Sequence, residues 1–182
     1  MTDQLTPTQR SRLMARVIGK DTKPEWILRS ALHRLGFRYR LGGGGLPGRP
    51  DLILPKYRAV VFVHGCFWHH HAGCKRATVP RTNAAFWKEK LERNVARDRE
   101  VTAALDAAGW KGIVVWECEL YRDPVAVASR VVSALTEGAH VPEDGGCNVG
   151  TLDPRRLLRI AEEKRRYRIG PKKLEDDVDQ DG

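Results

Sequence analysis

The densest chemical signal in this chain of 182 residues is the segment VFVHGCFWHHHAGC, which runs from residue 61 to residue 74. Four of the six histidines and two of the four cysteines lie in it, directly after a predicted strand. Thiolate and imidazole are the ligands that zinc prefers, and a structural zinc site uses four of them. Cys66, His71 and Cys74 have a spacing that can wrap one ion, and Cys118, near the end of a later predicted strand, can complete a tetrahedron. We therefore predict a structural zinc site, although three consecutive histidines are also compatible with an exposed polar turn.

A carboxylate precedes this segment. In PGRPDLIL, Asp51 stands at the head of a strand that should pair with AVVFV (59–63). An Asp after Pro is most often a turn or strand-start residue. Because the partner strand ends at Val63 and His64, however, the Asp51 carboxylate, the main-chain carbonyl of Val63 and the His64 ring can converge on one hard cation. Magnesium takes oxygen ligands and keeps several waters, one of which can become the attacking hydroxide, while nearby imidazoles move protons.

Aromatic side chains are interleaved with these polar groups. Phe67 and Trp68 lie between His64 and His69, and Trp87 follows the basic loop KRATVPRTNAAFWKEK. Large apolar residues beside an active site usually belong to the core, as we expect for Trp110 and Trp116. Beside basic residues they can instead act as wedges that enter a DNA stack.

Composition favours a polyanionic partner. Lys and Arg number 32 against 23 Asp and Glu, a formal net charge of +9, which favours nucleic acid, although solvated basic faces are common. No apolar run is long enough to cross a bilayer, and MTDQLTPTQR lacks the apolar core of a signal peptide, so we expect a cytosolic protein. Its cysteines should bind metal or stay reduced, and Cys147 in GGCNVG should be a free thiol.

The elements that must position these residues follow from periodicity and from Gly and Pro. In the first half of the chain we predict a basic helix or arm over 6–18, a helix from Thr22 to Gly36, a strand FRYRL (37–41) and a hairpin of 51–54 and 59–63. In the second half we predict a long helix over 83–108, a strand over 112–120 and a helix over 124–135. One side of the long helix should carry Trp87, Leu91, Val95, Val101 and Leu105. This order predicts an α/β fold, a mixed sheet flanked by helices. We divide the chain into an N-terminal basic helix or arm (1–18), a central domain (19–137) and a C-terminal extension (138–182), which we expect to be partly disordered or weakly helical.

Four segments together resemble the very-short-patch repair endonucleases, or Vsr-type mismatch endonucleases: LPGRPD (46–51), VFVHGCFWHHH (61–71), FWKEKLERNVARDRE (86–100) and GWKGIVVWECEL (109–120). The resemblance covers roughly residues 10–137. It implies a restriction-endonuclease-like mixed β-sheet with a structural zinc site. It also implies magnesium-dependent hydrolysis of the phosphodiester 5′ to the thymine of a T:G mismatch in duplex DNA.

The resemblance also implies a role for individual residues. Asp51 would bind Mg²⁺ together with the main-chain carbonyl of Val63, and His69 would transfer the proton, assisted by His64 and Glu25. The Zn²⁺ ligands would be Cys66, His71, Cys74 and Cys118. The DNA-intercalating wedge would be Phe67, Trp68 and Trp87.

The chain departs from the family pattern at three places. Val63 stands where the family often has Thr, a change that a main-chain ligand tolerates. The interval from His71 to Cys74 is one residue longer than usual, so the zinc loop must bulge. The extension beyond about Gly138 is not shared, and no role can be carried over to it.

Two other functions compete with this interpretation. One is a non-catalytic zinc-containing DNA mismatch-binding module in which Asp51 is structural. The other is a zinc hydrolase or nucleobase deaminase, but the deaminase needs a Glu beside a His ligand and a Pro-Cys-x-x-Cys segment, and neither is in the sequence. We expect a monomer that acts on duplex DNA in the bacterial cytosol or nucleoid. The flanking bases, the need for a methylated cytosine and any accessory mismatch-repair proteins stay open.

Overall fold

The protein forms a mixed three-stranded sheet with helices on both faces. The computed structural model describes residues 8–9, 19–42, 44–137, 153, 155–157 and 159. In chain order the elements are α1 (Lys23–Arg34), β1 (Leu52–Leu54), a 3₁₀ turn (Pro55–Tyr57), β2 (Ala59–His64), α2 (Ala84–Ala107), β3 (Lys111–Trp116), α3 (Glu117–Arg122) and α4 (Pro124–Thr136). The strand order is β1-β2-β3. The predicted α/β fold with a mixed sheet flanked by helices is confirmed.

Strand β2 is the centre of the sheet and sets its geometry. It pairs antiparallel with β1, Leu52 lying opposite Val61, so the predicted hairpin is confirmed. It pairs in parallel with β3, His64 lying opposite Trp116, and α2 makes the crossover between the two strands. Parallel neighbours need such a crossover, whereas a short turn suffices for the hairpin.

Two hydrophobic clusters cover the two faces of the sheet. Along β2, Ala59 and Val61 belong to the larger cluster, which α1 and α4 complete. Val60 and Phe62 point to the other side, into a small cluster with Leu105 of α2. Side chains alternate along a strand, and a strand buried on both faces is therefore a continuous apolar run, as AVVFV is.

Helix α1 begins where the sequence predicts. Thr22 is its N-cap, Pro24 stands in the first turn, and Glu25 closes a capping box on Thr22. These residues satisfy main-chain N–H groups that a helix start leaves unpaired. Gly36, with a φ of 87°, follows the C-cap and turns the chain away.

Two predicted strands differ in the structure. The segment 37–41 forms only an isolated bridge, in which Arg40 pairs with Ile53, because Gly36 and Gly42 at positive φ turn the chain away on both sides. The last strand ends at Trp116 instead of residue 120. The Glu119 carboxylate accepts the N–H of Trp116 at 3.2 Å and starts helix α3 there. Cys118 therefore lies in a helix.

Helix α2 has a narrower buried face than predicted. Of the five residues expected on one side, only Leu91 and Leu105 are buried. Trp87, Val95 and Val101 are partly exposed, so most of this helix faces solvent.

The predicted helix over 6–18 lies outside the described residues apart from positions 8–9, and most of the extension does too. Leu157, in the extension, is buried in the larger cluster. The division into arm, endonuclease domain and extension stays a prediction.

Candidate active site and metal cluster

An open cleft of about 1660 Å³ collects most of the residues that the sequence singled out for catalysis. The loop before β1, the end of β2, strand β3, the start of α1 and the second half of α2 contribute to its walls. The predicted site residues that line it are Glu25, Asp51, Val63, His64, Trp68 and His69. Phe67, Trp87 and the four predicted zinc ligands do not line it.

Asp51 lies at the edge of the sheet, beside the end of β2. Its main-chain N–H donates to the carbonyl of Val61 at 3.0 Å, and its carboxylate accepts the N–H of Val63 at 2.7 Å. Burial raises the pKa of Asp51 to about 6; the Val63 N–H opposes the rise, while Glu25 adds to it and Arg29 lowers it. A carboxylate that is costly to charge without a counterion gains by binding a cation. Val63 contacts Asp51 through its N–H, and the role of its carbonyl as a metal ligand stays a prediction.

Glu25 is fully engaged within the protein. It is 3% exposed. One carboxylate oxygen accepts the N–H and hydroxyl of Thr22, and the other accepts the N–H of Asp21 and a guanidinium N–H of Arg29. These contacts hold the start of α1 against the cleft, so Glu25 orders the cleft wall from within a network.

His64 and His69 lie face to face in the cleft. Their ring centroids are 3.7 Å apart with an angle of 8° between the planes. Nδ1 of His69 is 2.6 Å from the Asp98 carboxylate, and a ligand atom from each of the three residues lies within 4.8 Å of the others. Burial and the neighbouring His69 lower the pKa of His64 to about 4, so that ring is neutral near pH 7.

The Asp98 carboxylate orients the His69 ring and determines which of its nitrogens donates a hydrogen bond. A carboxylate accepts only, so Nδ1 carries the proton in this contact, and in the neutral ring the lone pair is on Nε2. A histidine held in this way can remove a proton from a water molecule.

Sequence reasoning missed Asp98, although a signal for it exists. Asp98 lies seven residues after Leu91 and seven before Leu105, the two buried residues of α2. Residues seven apart share a helix face. A carboxylate in that stripe must point towards the protein interior, where it needs a partner.

The Cys/His cluster brings together the four side chains predicted to hold zinc. One ligand atom from each of Cys66, His71, Cys74 and Cys118 lies within 4.8 Å of the others. Nδ1 of His71 is 3.5 Å from Sγ of Cys66 and 3.4 Å from Sγ of Cys118. Bonds of about 2.3 Å to sulfur and about 2.0 Å to nitrogen at a tetrahedral angle put the two atoms roughly 3.5 Å apart. Three thiols and one imidazole at these distances fit a zinc ion.

Local backbone geometry forms most of this cluster. The N–H of His71 donates to the carbonyl of Cys66, and the N–H of Cys74 to the carbonyl of His71. Gly73, with a φ of 73°, turns the chain between His71 and Cys74. Burial raises the pKa of Cys66 to about 12 and also raises that of Cys118, whereas the Arg76 N–H lowers that of Cys74. Metal binding at this cluster must therefore expel protons.

Trp116 joins the Cys/His cluster to the cleft. Its ring stacks on His71 with centroids 4.0 Å apart and meets the edge of His64 at 5.4 Å. Next to it, the Glu117 carboxylate accepts the N–H of Cys66 at 3.0 Å. Trp116, expected in the core, thus lines the cleft, whereas Trp110 packs against the smaller hydrophobic cluster as predicted.

The three aromatic residues predicted to intercalate form one group. The ring centroids of Phe67 lie 5.0 Å from those of Trp68 and 5.3 Å from those of Trp87. Phe86, which sequence reasoning missed, extends the group and is 52% exposed. The Lys90 ammonium lies 5.3 to 5.6 Å from the rings of Trp87, Trp68 and Phe86. A partly exposed aromatic surface under a cation suits contact with stacked bases and phosphates.

Within the part of the chain that the structure describes, no helix combines the length and apolar character required to span a membrane.

Comparisons with known proteins find a matching family and several relatives. The family described as "DNA mismatch endonuclease Vsr" matches residues 2–76. The chain is 50% identical over 135 residues to the "Type II nicking enzyme V.XorIIP" of Xanthomonas oryzae pv. oryzae, covering 74% of this chain and 98% of that protein. It is 43% identical over 120 residues to the "DNA mismatch endonuclease Vsr" of Escherichia coli K12, covering 66% of this chain and 76% of that protein. A "Type II nicking enzyme V.NmeAIP" of Neisseria meningitidis is 46% identical over 120 residues, covering 66% and 85%.

Proposed function

Because this chain belongs to the Vsr family of DNA mismatch endonucleases, we propose that it nicks one strand of duplex DNA 5′ to the thymine of a T:G mismatch by magnesium-dependent hydrolysis. The observation that carries this proposal is the His69–Asp98 pair in the same cleft as the buried carboxylate of Asp51. The cleft therefore offers a candidate base and a candidate cation ligand to one phosphodiester.

In this proposal Asp51 and the main-chain carbonyl of Val63 hold Mg²⁺. The ion, when bound, supplies a more acidic water and stabilises negative charge on the phosphate. The donor chemistry fits, because a carboxylate and a peptide carbonyl are oxygen ligands. The raised pKa of Asp51 supports the same assignment, since a divalent cation relieves the cost of its charge.

His69 is the proposed proton-transfer residue. Its Nδ1 is held by Asp98, so Nε2 is free to accept a proton from water or to return one to the leaving oxygen. His64, stacked on His69 and neutral near pH 7, adds no positive charge beside it. Glu25 assists indirectly, by ordering the start of α1 beside Asp51.

The Cys/His cluster is the proposed structural Zn²⁺ site. Its four protein ligands leave no open position for a substrate, which a catalytic zinc would need. Since Cys66 and His71 flank His69 in sequence and His64 precedes Cys66, a metal there would stabilise the loop that carries both catalytic histidines.

Phe67, Trp68 and Trp87 are the proposed wedge that enters the base stack at the mispair. Wedges that unstack a base step are usually apolar and lie beside a backbone-contacting surface. We further propose that the protein acts as a monomer on DNA in the bacterial cytosol or nucleoid. Flanking-base preference, any requirement for methylated cytosine and accessory repair proteins are questions for the same assay.

The test is a nicking assay on end-labelled duplexes that carry T:G, other mispairs or only matched pairs, with and without Mg²⁺. Wild-type protein should nick the T:G strand 5′ to the thymine only with Mg²⁺. Asp51→Ala should abolish nicking while T:G binding survives, since a carboxylate near phosphate contributes little affinity without its cation. Nicking by Asp51→Ala at the wild-type rate would put the metal elsewhere. Mismatch binding without any nick by wild type would favour the non-catalytic binding module.

A further inference from the structure

We propose that Arg49 binds a backbone phosphate of the DNA in the active-site cleft and positions it beside Asp51. This inference rests on the proposed function, because it supposes a DNA strand in that cleft. Arg49 lines the cleft, stands two residues before Asp51 and is exposed.

The backbone of Arg49 is held in a conformation that arginine rarely adopts. Its φ is 52°, in the left-handed region. That region is unfavourable for a residue with a side chain, and the helical region is disfavoured further before a proline, here Pro50. Residues kept in such conformations concentrate at catalytic and ligand-binding sites, because selection retains strain only where the side chain is needed.

Of the four other non-glycine residues at positive φ in the described part of the chain, two use their side chains in contacts within the protein. Asp21, with a φ of 56°, forms an ion pair with Arg29. Arg58, with a φ of 45°, donates to the carbonyls of Ala108 and Gly109 at the end of α2. Arg49 has no hydrogen bond or ion pair to any residue in the described part of the chain. Its strained conformation thus presents a guanidinium to the cleft.

The loop that carries Arg49 is fixed against the fold. Gly48 lies so close to α2 that a Cβ there would be 2.4 Å from a methyl carbon of Val101 and 3.2 Å from the ring of Phe62. Leu46 packs on the smaller hydrophobic cluster, and Pro50 is buried. Because both sides of Arg49 are anchored, the loop cannot relax the strained residue by swinging away.

The excess of carboxylates in the cleft explains why a bound phosphate would need the Arg49 guanidinium. The cleft is lined by six carboxylates and only four Lys or Arg residues. The carboxylates are Asp21, Glu25, Asp51, Asp98, Asp106 and Glu117; the cations are Lys23, Arg49, Arg97 and Arg99. Even with Arg29, which pairs with Asp21 and Glu25, carboxylates outnumber cations until a metal binds, and a guanidinium can offer a phosphodiester two parallel hydrogen bonds.

The first experiment measures single-turnover nicking of a T:G duplex with Mg²⁺. Arg49→Ala should lower the rate on the order of 10²-fold, the scale for loss of one charge-stabilising donor. Arg49→Lys keeps the positive charge but loses the planar guanidinium, so its nicking rate should lie between those of wild type and Arg49→Ala. Arg34→Ala is the matched control, because Arg34 is exposed at the end of α1 and does not line the cleft; its rate should stay at the wild-type value.

Arg49→Gly separates a phosphate contact from a structural role. Glycine adopts the left-handed region without strain, so this variant should unfold at a temperature no lower than wild type while it nicks as slowly as Arg49→Ala. Nicking at the wild-type rate by Arg49→Gly would overturn the proposal.

The second experiment locates the phosphate. In T:G duplexes, single phosphates around the nick site are replaced one at a time by neutral methylphosphonates, and binding is measured for wild type and Arg49→Ala. At one position the replacement should weaken wild-type binding and leave Arg49→Ala binding unchanged. Equal losses for both proteins at every position would exclude the contact. If wild type bound T:G duplex without nicking it, the proposed function would fail while this binding comparison would still decide the role of Arg49.

Discussion

At the scale of single residues, Asp51 links function to a cost in stability. Its folded pKa of about 6 exceeds its ordinary value of 3.8, chiefly because of burial. The folded protein therefore binds more protons than the unfolded chain between these values, and stability falls as pH rises through that window. Above pH 6 the full penalty is present, on the order of 1 to 3 kcal/mol.

Asp51→Asn should remove this penalty, since asparagine can still accept the N–H of Val63. In zinc-replete, magnesium-free protein, the variant should be more stable than wild type at pH 8, with the difference vanishing towards pH 4. Urea unfolding of both proteins across this range is the measurement, and added Mg²⁺ should stabilise only wild type. Equal unfolding free energies at pH 8 would contradict the burial argument.

The His69–Asp98 pair makes a second prediction at this scale. Asp98→Asn would offer an N–H to Nδ1, favouring the tautomer in which Nε2 carries the proton and cannot act as a base. Both Asp98→Asn and His69→Ala should lower the nicking rate roughly 10²- to 10⁴-fold. Asp106→Asn, a carboxylate of α2 that also lines the cleft, is the control.

Zinc content must be measured on these variants, because His69 is two residues from His71. A variant that keeps its zinc and loses its rate has a chemical defect. If zinc-replete Asp98→Asn nicks as fast as the Asp106→Asn control, Asp98 does not orient His69.

At the scale of elements, a metal ion in the Cys/His cluster would link the loop after β2 to helix α3, where Cys118 lies. Purified wild-type protein should carry about one zinc per chain, and Cys118→Ser should fall below about half of that after treatment with a mild chelator. Its unfolding temperature should fall as well, because a cross-link between two elements is lost. Metal analysis and thermal unfolding are the measurements.

Cys147→Ser is the matched control for this change, since Cys147 lies outside the predicted ligand set. It should keep both zinc and stability. Unchanged zinc content and unfolding temperature in Cys118→Ser would remove Cys118 from the cluster.

The aromatic group spans two elements, the loop after β2 and the start of α2. Trp68→Ala should weaken binding to a T:G duplex by about 1 to 3 kcal/mol, the scale of one base–aromatic stacking contact. Binding to a matched duplex should change less, because a matched pair resists unstacking. Titrations with both duplexes, together with urea unfolding, are the measurement, and collapse of the fold would assign Trp68 to the core instead.

At the scale of the whole molecule, the two sides of the sheet differ in how much apolar surface they bury and in whether they open into the cleft. The larger hydrophobic cluster, between the sheet, α1 and α4, supplies most of the buried apolar surface. The side that faces α2 has a small cluster with four buried members and opens into the cleft. Most of the stabilising burial thus lies away from the cleft, where polar groups and strained backbone reduce stability.

The sequence alone determined what depends on neighbours along the chain. Periodicity and capping residues identified α1, the hairpin and the long helix, because a helix start or a tight turn is decided within a few residues. The close spacing of Cys66, His71 and Cys74 identified most of the Cys/His cluster for the same reason. The motifs around Asp51 and His69 identified the family.

Only the tertiary structure decided the contacts between elements. It brought Asp98 of α2 to His69 and bound Glu25 to Asp21 and Arg29. It also placed Trp116 between the Cys/His cluster and the cleft. It also reduced the predicted strand 37–41 to a bridge and added Leu157 to the core. These outcomes depend on how distant surfaces pack against one another. A local pattern shows which residues need a partner, and the packing of the helices on the sheet selects that partner.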